Sequence, residues 1–334
     1  MCDVSVTADP ADPADAAAAE PTGRAGFADR LTALVDRRES QVVLGLDPDP
    51  MRLWPGAVQG ATGESGPPGD AARRAALAVV AHCRAVIDAA GPACVAVKPQ
   101  VACFERLGAP GWAALAGVVA HARAAGLLVL ADAKRGDIDV SAAAYGQALV
   151  GTTPTPFGPV DGLGADAFTA SPYLGRDTVE VLVRAARAAG AGVFVLVRTS
   201  NPGAADLQDA PLADGGPAWA RVARLVAALG EEGERSRSGL SDVGAVVGAT
   251  APEHLGHARK LMPRAVFLLP GIGAQGGRVE DLAPAFAPGR AGGLVTASRS
   301  IVTAHERSGG DPAAAARAEA ERLRTAAWAL AAQV

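Results

Sequence analysis

Eight short apolar runs recur along this 334-residue chain, and Ala-rich amphipathic stretches separate most of them. The runs are Gln41–Asp47, Cys94–Pro99, Leu127–Ala133, Asp166–Ala170, Gly192–Arg198, Val243–Gly248, Val266–Pro270 and Gly293–Ser298. A short, continuously apolar run reads as a strand buried on both faces, as strands of a parallel sheet are. Between them, stretches such as Asp70–Ala90, Gly111–Ala125, Arg176–Ala189 and Pro252–Met262 carry apolar residues at helical spacing. Eight β/α units in a chain of this length predict an α/β fold, a single (β/α)8 TIM barrel over residues 26–334. A doubly wound open sheet is the alternative.

Composition narrows the function classes. At 49% hydrophobic residues the chain can bury a core of barrel size. Its net charge of -4, with no basic block, gives no electrostatic footprint for nucleic acid. No apolar run reaches membrane-spanning length, so no membrane partner is expected. The cysteines Cys2, Cys83, Cys94 and Cys103 form no Cys-x-x-Cys pair, which predicts reduced thiols in a cytoplasmic protein. Residues 1–25, rich in Ala, Asp and Pro, lack the basic start and apolar core of a signal peptide and are expected to be disordered. Gly56–Gly69, Asn201–Gly216 and Glu231–Ser241 read as insertions or mobile loops.

In such barrels the chemistry lies where the strands end. The third run is followed by Ala131-Asp132-Ala133-Lys134-Arg135-Gly136-Asp137-Ile138. Residues two apart on a strand share a face, so Asp132 and Lys134 point the same way. Asp137 follows at the turn into a helix. An ammonium between carboxylates keeps its proton and could deliver it to a carbanion. The bland alternative is a surface ion pair at a strand end. Asp47 ends the first run, Lys98 the second and Arg299 follows the eighth, and charges there are hard to explain as packing. Gly271 to Gly277 forms a Gly-rich loop after the seventh run. Glycines let backbone N–H groups approach an anion, and the Arg299 guanidinium adds a fixed cation, so a phosphate site is predicted there.

These pieces resemble the orotidine 5'-phosphate decarboxylase family, in its longer bacterial (type 2) subgroup. The matching segments are Leu-Asp-Pro at 46–48, Val-Lys-Pro-Gln at 97–100, the octet at 131–138, Ala-Ser-Pro-Tyr-Leu-Gly at 170–175, Thr-Ser-Asn-Pro at 199–202, Pro-Gly-Ile-Gly-Ala-Gln-Gly-Gly at 270–277 and Ser-Arg-Ser at 298–300. They follow the family's order and span about Val42 to Ile301. The resemblance implies cofactor-free, metal-free loss of CO2 from orotidine 5'-phosphate, giving uridine 5'-phosphate in pyrimidine biosynthesis. It implies Lys134 as the proton donor to C6 of the pyrimidine, Asp132 beside the departing carboxylate, and Lys98 and Asp137 as the rest of an alternating charge network. It further places Asp47, Ile138, Ser141, Ser200, Gln275 and Arg299 against the substrate: Asp47 on the ribose, Ser200 on the pyrimidine edge, Gln275 and Arg299 on the phosphate. Asp137 and Ser141 are implied to reach the partner's site in a homodimer. Ser141 stands where the family often has threonine and keeps the hydroxyl.

Two rivals share the barrel. A Mg2+-dependent sugar-phosphate enzyme would need a carboxylate where this chain has Lys98, since a cation there repels the metal. A non-catalytic nucleotide-phosphate sensor would keep Gln275 and Arg299 but could lose the charged network. Other residues read as structural. His254 and His257 suggest a solvated helix face, and Cys83, Cys94 and Cys103 suggest core. Trp54, Trp112, Trp219 and Trp328 suggest packing, and Arg198 a solvated strand end.

Overall fold

The computed structural model describes residues 25–62, 71–213, 215–233 and 235–333. All eight apolar runs form strands: β1 (Val42–Leu46), β2 (Ala96–Pro99), β3 (Leu128–Arg135), β4 (Ala167–Ala170), β5 (Gly192–Arg198), β6 (Val243–Val247), β7 (Phe267–Leu269) and β8 (Gly293–Ala297). They pair in parallel and in order, and β8 closes on β1 through Val42 opposite Val295 and Leu44 opposite Ala297. The sheet is therefore a closed barrel, and the open-sheet alternative is set aside. Closure leaves no exposed sheet edge, and it explains why the runs are apolar throughout: helices cover one face and the barrel interior the other.

Helices α1 (Phe27–Arg38), α2 (Ala71–Ala90), α3 (Ala109–Ala124), α4 (Asp139–Leu149), α5 (Arg176–Ala188), α6 (Ala218–Glu231), α7 (Leu255–Leu261) and α8 (Pro312–Ala331) surround the barrel with several shorter turns. The N-terminal end of the barrel is plugged by α1. Phe27 packs edge-on against Phe194 at 5.8 Å, and a Cβ at Gly192 would lie 2.5 Å from the Phe27 ring. Arg30 fastens the plug, donating to Asp166 Oδ1 and to the Gly190 carbonyl at 2.8 Å each. With the bottom filled among the described residues, the C-terminal ends of the strands are left as the mouth for a ligand.

The segment 71–93 is long and apolar enough to cross a membrane, contrary to the sequence expectation. More than half of its apolar window is buried, and Val79, Cys83, Val86 and Ile87 pack into the main core. Its apolarity serves burial within this barrel.

The expected loops are partly structured. Pro55–Thr62 is helical, and residues 63–70 lie outside the described residues, as do 1–24. The Glu231–Ser241 segment is tied to α1, where Asp29 accepts from the backbone N–H groups of Arg237 and Ser238. Arg198 is not a solvated strand end. It is buried and forms a bidentate pair with Asp209 at 2.9 Å for both bonds, while its third nitrogen donates to the Thr199 carbonyl. That fork clamps the loop after β5.

Candidate active site

The innermost side chains at the C-terminal barrel mouth are polar on one side and apolar on the other. Lys98, Asp132 and Thr169 come from β2, β3 and β4; Leu196, Val246 and Leu268 come from β5, β6 and β7. Thr296 of β8 completes the ring. At β1 stands Gly45, where a Cβ would fall 1.7 Å from Ser298 Oγ, so only glycine leaves room for that hydroxyl. Above this floor lies a cleft of about 450 Å3. That volume falls in the range of about 300–1,000 Å3 usual for small-molecule sites.

Asp132 is the centre of the charged half. Its Oδ2 accepts from the Lys98 ammonium, and its Oδ1 accepts from Lys134 Nζ at 2.6 Å and Thr169 Oγ1 at 3.0 Å. Burial opposes ionisation of this carboxyl, but the two ammonium groups outweigh it and hold the group at about 2. Burial likewise opposes the charge on Lys98, yet Asp132 and then Asp47 outweigh it and hold the ammonium above its ordinary value. A buried carboxylate is thus kept charged by two cations, one at the barrel floor and one facing the cleft.

Of the expected site residues, Asp47, Lys98, Asp132, Lys134, Ser200, Gln275 and Arg299 all line this one cleft. Asp137, Ile138 and Ser141 do not line it. The Asp137 carboxylate accepts from the Ile138 N–H at 2.8 Å, and Ile138 and Ser141 are exposed. Within one chain the network therefore runs Lys98–Asp132–Lys134 and stops there.

Sequence reasoning missed Thr169, Gln100, Gln208 and Thr296. Thr169 and Thr296 are single hydroxyls inside apolar strands, a weak signal until the barrel closes around them. Gln208 sits on the clamped loop, with its Oε1 accepting the Thr199 N–H at 2.8 Å and its Nε2 donating to Thr199 Oγ1 at 2.9 Å. The histidines His254 and His257 flank the buried Trp219 ring at 5.5 and 5.1 Å, so packing against it adds to the expected solvated face. Burial pushes the thiols of Cys83 and Cys94 well up, the latter to about 12, as inert core groups require.

The family pattern described as "Orotidine 5'-phosphate decarboxylase / HUMPS family" matches residues 40–318, which include every strand of the barrel. The chain belongs to that family. It is 42% identical over 281 residues to the orotidine 5'-phosphate decarboxylase of Rhodopirellula baltica, covering 84% of this chain and 89% of that one. The structure of Leishmania donovani OMP decarboxylase superposes with a TM-score of 0.65 at 31% identity, over 90% of this chain and 99% of that one. Leishmania donovani UMP synthase gives 0.67 at 32% identity, over 91% of this chain; the chain spans only 57% of the synthase. The decarboxylase barrel is thus matched end to end, and the cleft lies where the family's segments converge.

Proposed function

We propose that this chain decarboxylates orotidine 5'-phosphate to uridine 5'-phosphate in pyrimidine biosynthesis. The observation that carries the reading is the buried Lys98–Asp132–Lys134 array opposite Gln275 and Arg299 in one cleft. The C6–carboxylate bond breaks, CO2 leaves, and the electron pair stays on C6. The Lys134 ammonium stabilises that charge and then transfers its proton to C6; the amine is reprotonated from solvent. Asp132 faces the substrate carboxylate and keeps Lys134 in place. Arg299 and Gln275 hold the phosphate, Asp47 the ribose and Ser200 the pyrimidine edge. These contacts are remote from C6, so their binding energy orients the ring for the reaction.

A divalent cation has no role in this scheme, because the Lys98 ammonium already occupies the Asp132 carboxylate a metal would need. The same feature disfavours the Mg2+-dependent rival.

The working unit in this reading is a homodimer. Asp137, Ile138 and Ser141 sit outside their own chain's cleft, on the exposed segment after β3. Exposed Val140, Phe157, Val160, Tyr173 and Leu174 lie on the segments following β3 and β4 and would be covered by a second copy. The free thiols of Cys83, Cys94 and Cys103 fit a cytoplasmic site of action.

The test is a spectroscopic assay of orotidine 5'-phosphate loss by purified protein in the presence of EDTA. Full conversion to uridine 5'-phosphate is expected. Activity that EDTA abolishes and Mg2+ restores would favour the metal-dependent reading.

A further inference from the structure

Lys134 has a backbone φ of 46°, one of three described non-glycine residues in the left-handed region. A lysine there is sterically disfavoured and persists only when its surroundings over-determine it. The register of β3 against β4 shifts between Ala131 and Arg135, so Lys134 stands at an irregularity of the strand.

Two side chains hold it there. The Thr169 hydroxyl, almost wholly buried, accepts the Lys134 backbone N–H at 2.9 Å and donates to Asp132 Oδ1 at 3.0 Å. One hydroxyl thus links the lysine's backbone to the carboxylate that holds its head. Gln100, bridged to β3 beside Asp132, supplies the second contact. With its amide oxygen toward Lys134, the orientation that satisfies both ends, it accepts from Nζ at 3.2 Å and donates to the Asp132 carbonyl at 2.6 Å. An ammonium has three N–H groups in fixed tetrahedral directions. Asp132 and Gln100 take two, which fixes the direction of the third toward the cleft that Lys134 lines.

We propose that Thr169 and Gln100 are positioning residues for Lys134: Thr169 holds its left-handed backbone and Gln100 aims its ammonium, so that the remaining N–H meets the reacting carbon. The proposal rests on the decarboxylase reading. Neither residue touches the phosphate-binding side, so their loss is expected in kcat and not in KM.

Thr169→Val keeps the shape and removes both hydrogen bonds, Thr169→Ser keeps the hydroxyl, and Gln100→Leu removes the second contact. For Thr169→Val and Gln100→Leu, kcat should fall at least about tenfold with KM within about threefold, since misplacement by about 1 Å can cost on the order of 100-fold. Thr169→Ser should return to within about threefold of the parent. The proposal is overturned if Thr169→Val keeps kcat within about threefold, or if Thr169→Ser is as impaired as Thr169→Val, because the hydroxyl would then be immaterial. Should Thr169→Val not fold, as judged by its thermal transition, Gln100→Leu decides by the same criterion. The parent in the same assay separates the two ideas: an inactive parent sinks the decarboxylase reading, whereas an active parent with unaffected variants sinks this one.

Discussion

Lys134 carries the proposed chemistry, and its surroundings are unequal. Its side chain is 44% exposed toward the cleft, whereas its Asp132 partner is 8% exposed. The carboxylate is therefore fixed and the ammonium can meet a ligand. Asp132 ionises well below the usual 3.8 in the folded chain, at about 2. Its charge stabilises the fold above pH 3.8, and that contribution is lost as pH falls through about 2. Asp132 is therefore charged throughout the neutral range. In the proposed mechanism, replacing Lys134 by Ala removes the proton donor and the charge beside C6. The loss in kcat/KM should be at least ~10^3-fold, combining a general-acid contribution of roughly 10^2 to 10^4 with an electrostatic one. Steady-state kinetics checks this, and a variant within about tenfold of the parent would remove Lys134 from its role. The residue was legible in the sequence because three charges beside an apolar run have no packing explanation. Thr169 was not, because a lone threonine in a strand gains meaning only from what the neighbouring strand places beside it.

Among the elements, the loop after β5 and the middle of α2 carry distinct expectations. Arg198 and Gln208 pin residues 199–209 over the cleft. Arg198→Met removes the fork while keeping the aliphatic stem. KM for the nucleotide should rise about tenfold or more, given roughly 1.5–3 kcal/mol for hydrogen bonds to charged groups, with kcat less affected. Faster amide exchange in residues 199–209 should accompany it. Unchanged KM and exchange would leave the clamp without a functional role. The His82 ring in α2 accepts the Trp54 N–H at 3.1 Å, and burial holds it neutral, lowering its pKa from 6.5 to about 4. The unfolded chain thus binds the proton more readily between those values, so this group's contribution is present above pH 6.5 and lost as pH falls through 4. His82→Leu should lower stability overall and flatten its pH slope between 6.5 and 4, measured by urea unfolding across that range. A slope identical to the parent's would refute the assignment. Both elements were expected from the sequence, but Arg198 was misread and His82 passed over: Arg198 looked solvated, since Asp209 lies on a loop whose return path no periodicity reveals.

The whole molecule raises the question of whether one chain completes a site. Asp137 and Ser141 project from the segment after β3, outside the cleft that Lys134 lines. Mixing a Lys134→Ala chain with an Asp137→Ala chain tests a shared site. If each pocket draws its lysine from one chain and its second aspartate from the other, a mixed dimer has one pocket with both lesions and one with neither. Random exchange makes about half the dimers mixed, so activity should recover toward about a quarter of the parent. No recovery, despite demonstrated exchange, would place Asp137 in its own chain's pocket.

The sequence alone determined the number of barrel strands, their succession along the chain and the ends that carry charge. Those properties are local: a buried parallel strand must be apolar along its length, and a charge at its end stands out against it. Closure of the barrel decided the rest. It brought β8 beside β1, seated Ser298 over Gly45, and filled the bottom with Phe27. Pairing of β3 with β4 set Thr169 against Asp132, 37 residues apart, and folding of the loop after β5 set Asp209 against Arg198. Each of these depends on which surfaces meet and how fully they exclude water. Burial of that kind belongs to the assembled chain, and no short stretch of sequence specifies it.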